Sequence, residues 1–228
     1  MMMKAAKLKR TVALLLFITL PVLMAPVDLF LAPNYWVKSI AKIILFILVP
    51  LSFNRYFKWV KVKDLFLLPR KQVKGIVILA VGTYGLIVGA YLLLKGVFDF
   101  SMVTDQLASS MAINKDNFLL VFFYIPLVNA MIEEGFFRGF GFLTLNNYWP
   151  RWLSYTLSAV VFSLYHVAIM ASWFSPLLFL LLIASLVIAG LFFNYINEKT
   201  GSILTSYVIH AGANLAINTI GLSLFGII

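Results

Sequence analysis

The chain contains two histidines, His166 and His210, and each falls inside a long apolar stretch. So does the only pair of adjacent carboxylates, Glu133-Glu134, with Arg138 one helical turn after Glu134. An ionisable side chain in hydrocarbon is costly and faces a protein interior or a water-filled cavity, which makes it a functional-site hypothesis by default. On a helix Glu134 and Arg138 are i,i+4 neighbours able to neutralise each other, while Glu133 is turned about 100° away. That division leaves Glu133 free to face a cavity and to act as a general base towards water. His210 and Asn214 are again i,i+4, on one face of the last apolar stretch. Asn is expensive in lipid without a partner, and His above Asn offers the donors that a developing oxyanion needs. Phe162 stands one turn before His166. Each piece has a structural reading too: an ion pair with a spare interfacial Glu, a packed histidine, interhelical hydrogen-bond glue. Together they read as a hydrolytic site inside a membrane protein.

Other intramembrane chemistries fail on residues. There is no HExxH for a zincin-type site, no GxSG serine centre, no cysteine, and Asp28 is the lone aspartate of the first apolar stretch. Glu133, His166 and His210 could supply three ligands to zinc or another divalent metal, with water in the fourth position. Equally, Glu133 and His166 could activate water directly while His210 and Asn214 hold the oxyanion. Both arrangements stay open on the sequence.

These residues need helices to carry them. Of the 228 residues 63% are hydrophobic and 11% charged, with a mean hydropathy of +1.00, whereas ordinary globular domains are about 25% charged. Runs of roughly 20 apolar residues cross a bilayer as helices, and seven are expected: Thr11–Ala32, Trp36–Phe53, Val73–Leu94, Asn117–Gly141, Trp152–Ala171, Ser175–Ile196 and Ser202–Ile228. The fold class is therefore all-α, a polytopic transmembrane bundle. Lys38 and Lys42 shorten the clean apolar run of the second span. The first span follows four basic residues, like a secretory signal, but its apolar run is too long for a signal core. Pro26 and Pro33 follow Ala25 and Ala32, a poor context for cleavage, so it is expected to remain as an anchor. Pro126 should kink the fourth span, and Gly85 and Gly89 form a GxxxG pair suited to close helix packing. Residues 1–116 hold three spans and a basic connection; residues 117–228 hold four spans and the candidate site. His210 and Glu133 fall at similar depth, His166 a few residues deeper unless its span begins nearer Tyr155.

The net charge of +10 is concentrated. Arg55, Lys58, Lys61, Lys63, Arg70, Lys71 and Lys74 follow the second span, and Lys4, Lys7, Lys9 and Arg10 precede the first. These are alternate connections on one side, which the positive-inside rule makes cytoplasmic. A multi-pass protein of the cell membrane with a cytoplasmic N-terminus is expected. Aromatic residues interleave the charges from Phe53 to Lys74, and this segment reads as a helix lying on anionic lipid rather than a nucleic-acid surface.

At the candidate residues the chain resembles the CAAX protease and bacteriocin-processing (CPBP, or Abi) family of intramembrane proteases, whose pattern is EExxxR, FxxxH and HxxxN on successive helices. Glu133-Glu134 with Arg138, Phe162 with His166, and His210 with Asn214 follow it in order. Phe137-Arg138-Gly139 and Thr200-Gly201-Ser202-Ile203 are similar too, and the likeness covers about residues 117–220. The resemblance implies peptide-bond cleavage near the membrane, with Glu133, His166, His210 and Asn214 as the catalytic set and Glu134 and Arg138 in support. Eukaryotic members remove the last three residues of prenylated CAAX proteins; bacterial members are linked to bacteriocin self-immunity, peptide maturation or surface display. Members are commonly labelled metalloproteases, although a metal-free glutamate mechanism fits the same residues. The expected partner is a membrane-embedded or lipid-anchored peptide or protein substrate. Two rival functions use the same residues: a non-enzymatic immunity protein binding a bacteriocin or its receptor, and a transporter with a His/Glu proton relay, which lacks the inverted repeat such folds show.

Overall fold

Asn34 opens the second helix by accepting from the backbone N–H groups of Trp36 and Val37 at 3.0 and 3.1 Å, the ordinary N-cap solution for orphan donors. The computed structural model describes residues 2–31, 34–68, 70–170 and 173–228; Ala32, Pro33 and Ala171, at the expected span ends, lie outside the described residues. Among the described residues the structure is helical without strands. The helices are α1 (Met2–Pro26, continued by a π-turn over Val27–Leu31), α2 (Tyr35–Phe57), α3 (Val73–Leu94), α4 (Ser101–Met111), α5 (Phe118–Leu143), α6 (Arg151–Met170), α7 (Pro176–Thr200) and α8 (Leu204–Leu224).

Five of these, α1, α2, α3, α5 and α7, sit in segments long and apolar enough to cross a membrane. The other two expected spans are α6 and α8, with 20 and 21 residues. They have the length, and each carries buried polar residues, Ser154, Ser158 and Ser163 on one and Thr205, Ser206, His210 and Asn218 on the other. Both helices that carry the histidines thus turn polar residues into the bundle. The chain is a multi-pass membrane protein.

Without water to expel, helices in lipid associate by close packing. Here the packing is aromatic. Phe46 of α2 stacks on Phe136 of α5 at 4.2 Å, Phe17 of α1 stacks on Phe136 at 5.6 Å, and Phe137 meets Phe162 of α6 edge-on at 5.2 Å. This cluster joins α1, α2, α5 and α6 beneath the candidate site.

At Pro126, where a kink is expected from the sequence, the structure shows a widened turn. The proline ring displaces the carbonyl of Phe122, four residues back, and the helix widens into a π-turn over Ile125–Asn129. The released Phe122 oxygen accepts from Asn218 Nδ2 of α8 at 2.9 Å, and the Leu127 oxygen accepts from the Tyr207 hydroxyl at 3.0 Å. A second and longer π-stretch, Glu134–Leu143, carries the glutamate–arginine motif itself. Such wide turns gather at functional sites.

Two expectations are corrected. The basic segment is not one interfacial helix: α2 ends at a left-handed Lys58, and the chain continues through 3₁₀ turns over Val62–Phe66 and Arg70–Gln72. Trp59 turns inward, its indole N–H donating to the Lys9 oxygen at 3.2 Å, and the Leu65 oxygen accepts from the Ile203 N–H at 2.9 Å. The segment is therefore docked on the turn between α7 and α8, at the same end of the bundle as Lys9, Arg10 and the Arg151–Glu198 ion pair.

The GxxxG pair makes no close contact either: a Cβ added at Gly85 or Gly89 meets nothing within 4 Å. The tight crossing of α3 and α8 instead uses Gly212, where a Cβ would sit 2.8 Å from the Ala80 oxygen. Gly212→Leu is accordingly expected to force α3 off α8 and cost about 1–3 kcal/mol or more as overpacking, whereas Gly85→Leu and Gly89→Leu leave thermal stability in micelles near wild type. Equal melting temperatures for the Gly212 and Gly85 variants would contradict this packing.

Candidate active site

Glu133 and Glu134 are fully enclosed, at 2% and 0% exposure, and the helical step between them points them at different partners. Glu134 Oε1 lies 3.2 Å from Arg138 Nη1 and 2.9 Å from His210 Nδ1, and its Oε2 accepts from the Ser206 hydroxyl. Ser206 in turn accepts from Asn197 Nδ2 of α7 at 2.7 Å. Three groups from two helices therefore hold this carboxylate, and Asn197 of α7 supports one of them. Arg138 approaches it without an aligned hydrogen bond; the guanidinium lies 4.0 Å over the Phe162 ring and 5.0 Å over that of Phe193, a cation–π seat.

Glu133 is not the free carboxylate expected from the sequence. Its Oε1 accepts from Lys42 Nζ at 3.0 Å and from Asn129 Nδ2 at 2.9 Å, while Lys42 also donates to Asn129 Oδ1 at 2.7 Å. Its Oε2 faces the two imidazoles, 3.8 Å from His166 Nε2 and 3.7 Å from His210 Nε2. Both histidines have their other nitrogen committed. His166 Nδ1 lies 2.8 Å from the Phe162 carbonyl oxygen, and His210 Nδ1 faces Glu134. A carbonyl only accepts, so His166 carries its proton on Nδ1; the carboxylate draws the His210 proton to Nδ1 in the same way. Each ring then presents an Nε2 lone pair towards Glu133 Oε2. The depth mismatch expected for His166 does not keep it away: it reaches the same carboxylate oxygen as His210.

Asn214, one turn beyond His210 on α8, has a buried Nδ2 with no hydrogen-bond partner among the described residues. Its neighbours thus leave a donor free one turn from His210 on the same helix.

Among the described residues no group of three or more His, Cys, Asp or Glu side chains is placed to hold a metal ion. A physical reason is visible at Glu133. The Lys42 ammonium, 3.0 Å from its carboxylate, puts a fixed positive charge beside the one anionic ligand that a dication would need. As arranged, Glu133, His166 and His210 do not fit a resident zinc.

Four polar neighbours were missed by the sequence reading: Lys42, Asn129, Ser206 and Asn197. Asn129 and Ser206 stand four residues before Glu133 and His210, so the i,i+4 rule applied backwards along the same helices would have found them. Lys42 carried the signal that identified the histidines, an ionisable group within an apolar run.

Comparison with known proteins bears on the same stretch of chain. No curated protein and no solved structure matches the chain. Residues 115–216 match the family model described as Rce1-like, Type II CAAX prenyl endopeptidase Rce1-like. Both glutamates, Arg138, both histidines and Asn214 lie within that segment, and Lys42 lies outside it. Over residues 115–216 the chain is thus similar to the Rce1-like type II CAAX prenyl endopeptidases, in the same segment that carries the motif pattern of the CPBP proteases it resembles.

Proposed function

We propose that the chain is an intramembrane endopeptidase that hydrolyses a peptide bond of a membrane-embedded or lipid-anchored substrate, with water activated at Glu133 and His166. The observation that carries this reading is the meeting of three acceptors with an unpaired donor close by. Glu133 Oε2 stands 3.8 Å from His166 Nε2 and 3.7 Å from His210 Nε2, too far for direct hydrogen bonds and suited to a molecule that donates to two of these acceptors. Water is such a molecule.

Glu133 Oε2 takes one proton of that water while His166 Nε2 accepts from the other O–H and aims the oxygen at the scissile carbonyl carbon. As the C–O bond forms, negative charge develops on the carbonyl oxygen, where Asn214 Nδ2 donates to it beside His210. Collapse breaks the C–N bond, and the proton held by Glu133 passes to the leaving nitrogen. The protein begins and ends in one state. The family description directs the reading to prenylated substrates with a CAAX-type C-terminus. The basic end of the bundle would face the cytoplasm and its anionic lipid, and the substrate would be held at that leaflet.

Removing one oxyanion donor typically costs about 10²–10³ in kcat. Asn214→Ala is therefore expected to lower kcat by roughly that factor with little change in KM, read with an internally quenched farnesylated CAAX peptide and purified protein in micelles. The function itself is tested by comparing membrane peptide products from cells carrying wild-type protein and His166→Ala. A product present only with the wild type supports proteolysis; identical peptide profiles at equal protein abundance reject it.

A further inference from the structure

Six charged side chains are buried among the described residues: Asp28, Lys38, Lys42, Glu133, Glu134 and Arg138. Their signs balance. Within the family-matched segment they do not, because Glu133 and Glu134 share a single cation, Arg138. Arg138 lies against Glu134, at 3.2 Å. The cation for Glu133 arrives from α2, outside the matched segment, as Lys42.

The contact is also asymmetric. Lys42 Nζ and Asn129 Nδ2 both donate to Oε1 of Glu133, at 3.0 and 2.9 Å, while Oε2 is left to the imidazoles. Asn129 Oδ1 accepts from Lys42 at 2.7 Å, so lysine, amide and carboxylate close a ring of three contacts. The ammonium stem passes the Tyr165 ring, with Nζ 5.2 Å from its centre. One turn earlier, Lys38 donates to the Asp28 backbone oxygen at 2.6 Å, and Ser39 shares a hydrogen bond with the Tyr124 hydroxyl. The whole inner face of this part of α2 is polar and turned towards α1 and α5.

A buried ion pair is weak support for stability, since an apolar pair of the same volume often does as well. Its place beside the candidate base points to another use. We propose that Lys42 is a positioning residue of the hydrolytic site. It holds Glu133 by Oε1 and supplies the positive charge that a dication would otherwise provide, so that Oε2 alone is presented to water. The hydrolytic site then depends on α2 as well as on the matched segment. This inference rests on the hydrolytic reading of Glu133.

The test uses full-length wild type, Lys42→Met, Lys42→Arg, Glu133→Gln and the Lys42→Met/Glu133→Gln pair in micelles, with the farnesylated CAAX peptide and thermal melting as readouts. A misplaced catalytic group costs on the order of 100-fold. Lys42→Met is expected to lose about that factor in kcat with KM within about threefold, and Lys42→Arg to recover at least about a tenth of wild-type kcat. Lys42→Met also strands a buried carboxylate, so its melting temperature falls; adding Glu133→Gln removes that charge and raises it again. This thermal cycle needs no substrate and reads the coupling even where the single variant is unstable.

Wild-type kcat in Lys42→Met with Glu133→Gln inactive overturns the role of Lys42 and leaves the hydrolytic reading standing. Strictly additive melting shifts overturn it as well. Wild-type hydrolysis that a chelator abolishes and zinc restores assigns the positive charge to a metal, against Lys42. Cleavage by Glu133→Gln overturns both the hydrolytic reading and the inference built on it.

Discussion

Glu133→Gln is expected to lower turnover by roughly 10²–10⁴-fold, the contribution typical of a positioned general base. The substitution keeps the shape of the side chain and a carbonyl oxygen for Lys42 and Asn129, which now share Oε1. What it removes is the basic Oε2 between His166 and His210. A carboxamide nitrogen there would donate to the imidazoles and could not take a proton from water. Stability should fall as well, because the buried Lys42 ammonium loses its anion; breaking one side of a buried pair costs about 3–5 kcal/mol, offset in part by the hydrogen bond that the carboxamide oxygen keeps. The measurement is single-turnover cleavage normalised to membrane abundance, with melting alongside. Retention of more than about a tenth of the wild-type rate, against the expected loss, would show that Glu133 is not the base.

That prediction could be framed from the sequence because the reacting groups announce themselves. Glu133, Glu134, His166 and His210 are ionisable and sit in apolar helices, where chance placement is expensive. The i,i+4 spacing of Glu134 with Arg138, and of His210 with Asn214, placed each pair on one face before any fold was known. The same rule failed at Lys42. It was read as a defect of the second span because its partner lies 91 positions further along the chain, and no periodicity joins two helices so far apart. The π-turns were equally hidden. Pro126 marks one of them, but whether a proline kinks a helix or widens it depends on whether a neighbour satisfies the freed carbonyl, here Asn218 on α8. Gly85 and Gly89 misled for the converse reason: the pattern permits close packing, but Gly212 and Ala80 make it. Residue type and spacing along one helix were legible, and contacts between helices were not.

The second large effect concerns the other glutamate. Arg138 is fully buried, with its guanidinium between the Phe162 and Phe193 rings and one nitrogen 3.2 Å from Glu134. Arg138→Ala leaves a carboxylate without its cation and opens a cavity under two aromatic rings. Breaking one side of a buried pair costs about 3–5 kcal/mol, so folded protein in the membrane should drop sharply. Activity per folded molecule should drop too, because Glu134 holds His210 by Nδ1 and thereby directs Nε2 at Glu133. Charge and volume separate in a second variant. Arg138→Met fills much of the space but still strands Glu134; adding Glu134→Gln removes that charge, and the pair should melt nearer to wild type than Arg138→Met alone. If the double variant melts no higher than Arg138→Met, shape rather than charge pairing governs this corner of the site. Should Arg138→Ala instead fold and melt like wild type and only fail to cleave, the arginine acts on the substrate, and Glu134 is held by Ser206 and His210 alone.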